Sequence, residues 1–293
     1  MTMLPDRQGL PPDPRQQQAR SSGADHAEVG VAVGTHRDAL KQLFPVPPSR
    51  EPRGKRAVTA GAAALLAVAA MLWWWDPAYR SERYSTRVGE RVQAELPDGS
   101  TLVLDTGSAV AVQWHLRTRR VTLVSGRAQF IVAPATWRPF LVTAGPAQVR
   151  VVGTRFDVWR ETPDTSSVSV YEGRVAVWRK GQAPERGVSL RAGQQARLPA
   201  QGAPAVQALE SRLQDAWKEG RLVFQDTPLV EAVAAIQRYR GTPIRIVDPR
   251  IGTLRLSGVF DSSNTDTLLA LLPGILPVKV LSLPGGGVAL RSR

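Results

Sequence analysis

Few residues in this chain could do covalent chemistry. The strongest pair is Gly153-Thr154. A hydroxyl on the residue after a carbonyl can attack it, shift the acyl group from nitrogen to oxygen and leave an ester for water to hydrolyse. Glycine suits such a position, because the missing Cβ permits close approach and unusual dihedrals. The same dipeptide serves equally as a bulge or tight bend between two strands, with Thr154 merely packing. Both readings stand. Asp157, Glu161 and Asp164 form a loose carboxylate group with no histidine beside it, so a solvated edge is expected there. Cysteine is absent, which excludes thiol catalysis, disulfides and Cys-ligated metals. The three histidines, His26, His36 and His115, are scattered. Neither a metal site nor a nucleophile–base pair is therefore expected, and no cofactor is implied. Trp114, Trp137, Trp159 and Trp178 could stack sugars, although packing is the default for tryptophan in a β unit. Arg238 and Tyr239 end a predicted helix, where a cation complements the helix dipole, and could also face a partner.

The elements that must carry these residues fall into two textures. From about residue 84 to 199 apolar residues alternate with a period of two, as in Leu102/Leu104, Val110/Val112, Val149/Val151 and Val175/Val177. Turn signals such as Pro97-Asp98-Gly99, Gly145-Pro146 and Glu172-Gly173 separate the runs. This spacing predicts an all-β sandwich or roll. From about Ala216 the pattern becomes mixed. It reads β-α-β-β-α-β-β: a strand at 221–224, a helix capped by Thr227 with Pro228 first and Gly241 closing it, strands around Ile244 and Leu256, a helix capped by Thr265 and stopped by Pro273-Gly274, and a hairpin turning at 284–287. That is a small α+β module. The glycines at 285–287 open no helix and precede no Lys-Ser/Thr, so they read as a turn, not a phosphate loop.

Ahead of both units, residues 57–75 run for nineteen positions without a charge and end in Trp73-Trp74-Trp75. As a helix they would span roughly 28 Å, with the indoles at an interface, which predicts a single transmembrane helix. Arg50, Arg53, Lys55 and Arg56 precede the run, so the N-terminus is expected in the cytoplasm and residues 76–293 in the periplasm, the protein sitting in the inner membrane. Residues 1–56 hold eight prolines and one aromatic, Phe44, and read as a largely disordered tail. Within it, Thr35 could cap a short helix presenting Leu40, Leu43 and Phe44, either a transient turn or a partner-binding helix. The expected organisation is thus a tail (1–56), a membrane helix (57–75), a β domain (76–200), a linker (201–215) and an α+β module (216–293). Lys+Arg exceed Asp+Glu by 38 to 25, but the basic residues are mostly arginines spread along the chain, so direct nucleic-acid binding is not expected.

Several ordered motifs resemble the FecR family of sensors: Thr86-Arg-Val-Gly-Glu-Arg91, Leu96-Pro-Asp-Gly-Ser100, Arg120-Val-Thr-Leu-Val-Ser-Gly126, Arg138-Pro-Phe140, Val152-Gly-Thr-Arg-Phe156, Val168-Ser-Val-Tyr-Glu-Gly173 and Leu190-Arg-Ala-Gly193. The C-terminal unit is similar to the STN-type signalling module through Trp217-Lys-Glu-Gly-Arg-Leu222, Pro228-Leu229, Arg238-Tyr239 and Leu256-Ser-Gly258. The resemblance implies a transducer between a TonB-dependent outer-membrane receptor and an extracytoplasmic-function (ECF) sigma factor. The receptor's periplasmic signalling domain would dock on the C-terminal region, and the cytoplasmic end would hold or help activate the sigma factor, often for iron-siderophore or other nutrient uptake. Some such sensors break their own Gly-Thr bond, which here is Gly153-Thr154, and envelope proteases can take part. Sigma binding would fall on residues 35–44. A second reading of different class is a membrane-anchored periplasmic scaffold or glycan-binding module without transcriptional output. A catalytic enzyme ranks third.

Overall fold

A computed structural model describes residues 53–209 and 215–293, together with Leu43. The chain divides into two compact units, residues 1–66 and 67–293. Leu40 and Phe44 lie outside the described residues; Leu43 is helical and exposed.

The expected transmembrane helix is corrected. Arg53–Trp75 does form one helix, α1, of 23 residues. Among the described residues, however, no helix is long and apolar enough to cross a membrane. A count of uncharged positions weighs alanine like leucine. Eight of the nineteen residues at 57–75 are alanine, and the last three are tryptophan, which favours interfaces over the hydrocarbon centre.

The expected all-β sandwich or roll is corrected too. The β region is one continuous sheet of 13 strands. Its strands are β1 (Ala78–Ser85), β2 (Val92–Glu95), β3 (Thr101–Leu104), β4 (Ala109–His115), β5 (Arg119–Ile131), β6 (Phe140–Ala144), β7 (Ala147–Val151), β8 (Arg155–Thr162), β9 (Thr165–Glu172), β10 (Arg174–Arg179), β11 (Val188–Arg191), β12 (Gln194–Leu198) and β13 (Ala205–Ala208). The long strand β5 is the spine. Its first half pairs with β4 and β6, and its second half with β3 and β8. Between the halves stands Gly126 at φ +78°, where an added Cβ would lie 2.2 Å from Ser108 Oγ and 2.6 Å from Ser108 Cα. A single strand thus bends back, and the sheet curls into a half-barrel. Alternation fills its concave side. Val112, Val121, Val142, Val149 and Val177 form one cross-strand row in the core, with Phe130, Phe140 and Phe156 beside them. Burying five valines contributes on the order of 10 kcal/mol before chain entropy is counted.

The C-terminal part carries β14 (Arg221–Pro228), α2 (Leu229–Gln237), β15 (Ile244–Ile246), β16 (Arg255–Asp261), α3 (Thr265–Ile275), β17 (Val278–Ser282) and β18 (Val288–Ser292). β14 pairs with β16, while β15, β18 and β17 form a second small sheet, with β15 parallel to β18. Leu229, Val233 and Ile236 of α2 and Leu268, Leu269 and Leu272 of α3 build its core. The element order matches the sequence pattern, but the helix ends differ. Thr227 stays in β14 and bonds locally to Gln225. α2 stops at Gln237, short of Gly241. Asn264, not Thr265, caps α3 by accepting from Thr267 N–H, and Pro273 is held inside that helix. Short polar side chains compete for a cap, and the winner is set by the chain's entry angle, which tertiary packing decides. Ala205–Ala208, expected in a linker, pairs with β12 as the last strand of the large sheet.

Candidate functional site

Within residues 67–293, two buried carboxylates stand where the C-terminal part meets the curled sheet. The first is Asp105, at the end of β3 and fully buried. Its Oδ2 accepts from Arg238 Nη2 at 2.7 Å and its Oδ1 from the Tyr239 hydroxyl at 2.8 Å. Next to it, Thr106 Oγ1 accepts from Gly89 N–H at 2.7 Å and donates to the Arg238 carbonyl at 3.0 Å. The second is Asp157 on β8. Its Oδ2 accepts from Arg127 (Nε 3.1 Å, Nη2 2.7 Å), the Tyr171 hydroxyl at 3.1 Å and Trp217 Nε1 at 3.2 Å, and its Oδ1 from Gln129 at 2.8 Å.

The two clusters share an aromatic and cationic lining. The Arg238 guanidinium lies 4.7 Å from the centroid of Trp159, and that of Arg127 lies 5.0 Å from Trp217. Arg91 donates to the carbonyls of Trp217 (2.8 Å) and Lys218 (3.0 Å). Burial pushes the Tyr239 phenol upward, with the Asp105 charge adding to it, and burial and Asp157 do the same to Tyr171. Both hydroxyls therefore remain donors. Burial alone would lower Arg127, but the charge and hydrogen bonds of Asp157, with Tyr171 and Asp105, together outweigh it and hold the guanidinium charged. Each carboxylate is thus a fixed anchor for groups arriving from more than 50 residues along the chain, and removing either side would strand a charge or a donor in a dry place.

The structure brings Arg238 and Tyr239 together, as their adjacency suggested, and turns both toward Asp105. It does not make a carboxylate site of Asp157, Glu161 and Asp164. Asp157 is buried in the cluster above, not on a solvated edge, while Glu161 pairs with Arg197 at 2.8 Å and Asp164 is exposed. The participants missed in the sequence are Asp105, Arg127 and Tyr171. Their signal was weak: a charge or phenol set against an otherwise apolar alternation.

Gly153 and Thr154 form the bend between β7 and β8. A Cβ on Gly153 would lie 2.9 Å from Pro134 Cα, so close approach of backbone explains the glycine. The Thr154 hydroxyl is buried, and among the described residues it has no hydrogen-bond partner. No imidazole or carboxylate there touches it to take its proton. Among the described residues, no group of His, Asp and Glu could hold a metal ion.

Residues 82–176 match the family model described as FecR protein, and the resemblance drawn from the sequence motifs holds over those residues. Two crystal structures of a candidate anti-sigma factor from Parabacteroides distasonis ATCC 8503, at 2.50 and 1.65 Å resolution, share the fold. Each superposes with a TM-score of 0.61 at 23% identity. The alignments cover 73% and 72% of this chain and 100% and 99% of theirs. No curated protein matches the chain.

Proposed function

We propose that the chain is a signal-transducing regulator of the anti-sigma kind. A partner docks on residues 216–293, the contacts at Asp105 and Asp157 relay the event to the β domain, and the N-terminal region acts on a sigma factor. The observation that carries this reading is the FecR match over residues 82–176. The fold shared with the candidate anti-sigma factor supports it. The seam supplies a physical means. A partner shifts an equilibrium only through differential affinity for two states, and two polar clusters that are either wholly paired or broken make such a pair of states.

In its finer form the proposal names the partner as the periplasmic signalling domain of a TonB-dependent receptor and the target as an ECF sigma factor. It places residues 76–293 in the periplasm and keeps residues 35–44 as the sigma-binding segment. Undocking would also offer newly exposed strands to envelope proteases. Self-cleavage at Gly153-Thr154 belongs to the same proposal, and intact mass tests it. Two fragments from wild type and one from Thr154→Ala support it; identical intact chains remove it.

A reporter fused to the sigma-dependent promoter tests the whole. Full-length protein should make the reporter respond to the inducing nutrient, and residues 1–56 alone should give output independent of it. A reporter indifferent to both rules the reading out. Deletion of 35–44 should abolish capture of the sigma factor. Phosphatase activity of a fusion at Arg293 tests the location, and lack of activity removes it.

A further inference from the structure

The convex face of the curled sheet carries a second pattern, independent of the seam. Adjacent to the valine row of the core, the outward residues Thr122 (β5), Thr143 (β6), Gln148 (β7) and Trp178 (β10) stand directly opposite one another in register. The next outward row contains Gln113, Arg120 and Arg150. A cavity of about 240 Å³ follows these rows, lined by Gln113, Arg120, Gln148 and Trp178. It shares Thr122 and Thr143 with a larger cavity of about 510 Å³. The larger one lies where the β6–β7 and β8–β9 turns meet the end of β10, and Arg160, Arg179 and Lys180 line it together with the single carboxylate of Asp164.

We propose that this face binds a carboxylated oligosaccharide, with sugar rings along the Thr122–Thr143–Gln148 row and a uronate group among Arg160, Arg179 and Lys180. Two observations carry the assignment. First, the face is built of hydroxyls and amides at strand spacing, about 4.8 Å, so successive donors and acceptors meet successive rings of an extended glycan. Trp178, only 7% exposed, walls one end with its indole.

Second, three basic side chains meet a single carboxylate in the larger cavity. Among the described residues no carboxylate pairs with Arg160, Arg179 or Lys180. Arg179 donates to the carbonyls of Ala200 and Gly202, and Arg160 to those of Val124 and Pro163. Those bonds aim the guanidinium groups without neutralising them. A guanidinium fork pairs with a carboxylate or a phosphate alike, so the phosphate arm of the titration below separates the two.

The test titrates full-length protein with trigalacturonate, its methyl ester and inorganic phosphate, by calorimetry. Saturable binding of trigalacturonate is expected, with the ester at least tenfold weaker. Lys180→Gln, an exposed side chain, and Arg179→Gln should each weaken trigalacturonate severalfold, and Thr143→Val with Gln148→Leu should weaken ester and acid alike. Unchanged melting temperatures check that the variants fold. No saturable binding, equal affinity for acid and ester, or an affinity untouched in Lys180→Gln overturns the proposal. Phosphate binding as tightly as the trisaccharide reduces the cavity to an anion pocket and overturns it as well. The outcome is independent of the reporter experiment above, since it needs no sigma factor and no receptor.

Discussion

The Tyr239 hydroxyl donates to Asp105 Oδ1 at 2.8 Å, joining residues 134 positions apart in a place neither shares with water. Arg238 takes the other oxygen of the same carboxylate. One side chain of the sheet thereby holds the end of α2 by two bonds. Tyr239→Phe should cost about 1.5–3 kcal/mol, the range for a bond to a charged group. Asp105→Asn should cost at least as much, because Arg238 loses its counter-charge. A double-mutant cycle in urea should return a coupling of about 1–3 kcal/mol; additivity would mean the bond does not form.

Asp157 gathers more partners, and its loss should be worse. Asp157→Ala leaves Arg127 charged and buried, at a cost of about 3–5 kcal/mol. Asp157→Asn keeps shape and part of the bonding and should cost less. Trp217, one of eight tryptophans, donates its Nε1–H to Asp157, and its own emission is read as the difference from Trp217→Phe. Its fluorescence should move to longer wavelength in Asp157→Ala before global unfolding.

Asp76 makes stability depend on acid pH. Its carboxylate accepts from Arg117 N–H at 2.8 Å and from the Thr118 hydroxyl at 2.9 Å. Burial alone would raise its pKa, but these bonds and the nearby His115 and Arg117 outweigh burial and hold it below the ordinary value. A depressed carboxylate stabilises the fold above its unfolded pKa of 3.8 and loses that contribution as pH falls through the folded value. Asp76 sits at φ 45°, a conformation asparagine also accepts, so Asp76→Asn isolates the charge. The variant should melt several degrees lower than wild type at pH 7, and the gap should shrink as pH falls below 3.8 and close once it passes the lower folded value. A gap constant with pH would assign the effect to packing.

Gly126 tests the curl of the sheet. Alanine there meets Ser108 backbone and demands a left-handed conformation. Gly126→Ala should destabilise by about 2–5 kcal/mol, combining strain with overpacking. A neutral result in thermal unfolding would show that β5 need not bend at this residue.

Thr154 carries the opposite expectation. Its hydroxyl is buried without a partner among the described residues, so the isosteric Thr154→Val should leave stability unchanged or raise it by about 1 kcal/mol. A loss beyond about 1 kcal/mol, read from chemical denaturation, would mean the hydroxyl is bonded after all.

Much of this architecture is local and was legible from residue order alone. Alternation of valines and leucines located the strands of the β region. Turn residues such as Pro97-Asp98-Gly99 separated them, and the mixed period after Ala216 gave the C-terminal element order. The motifs also pointed to the family whose model matches residues 82–176. What remained hidden depends on partners distant in sequence. Alternation sets which face of a strand is wet, but not which strands join, so one curled sheet and two stacked sheets share a single pattern until β5 pairs on both sides of Gly126. An uncharged run does not by itself tell a spanning helix from a weakly apolar one. A lone aspartate such as Asp105 or Asp157 reads as surface, because burial of a charge is tolerated only once arginine, tyrosine and tryptophan arrive from elsewhere in the chain, and tertiary structure alone brings them there.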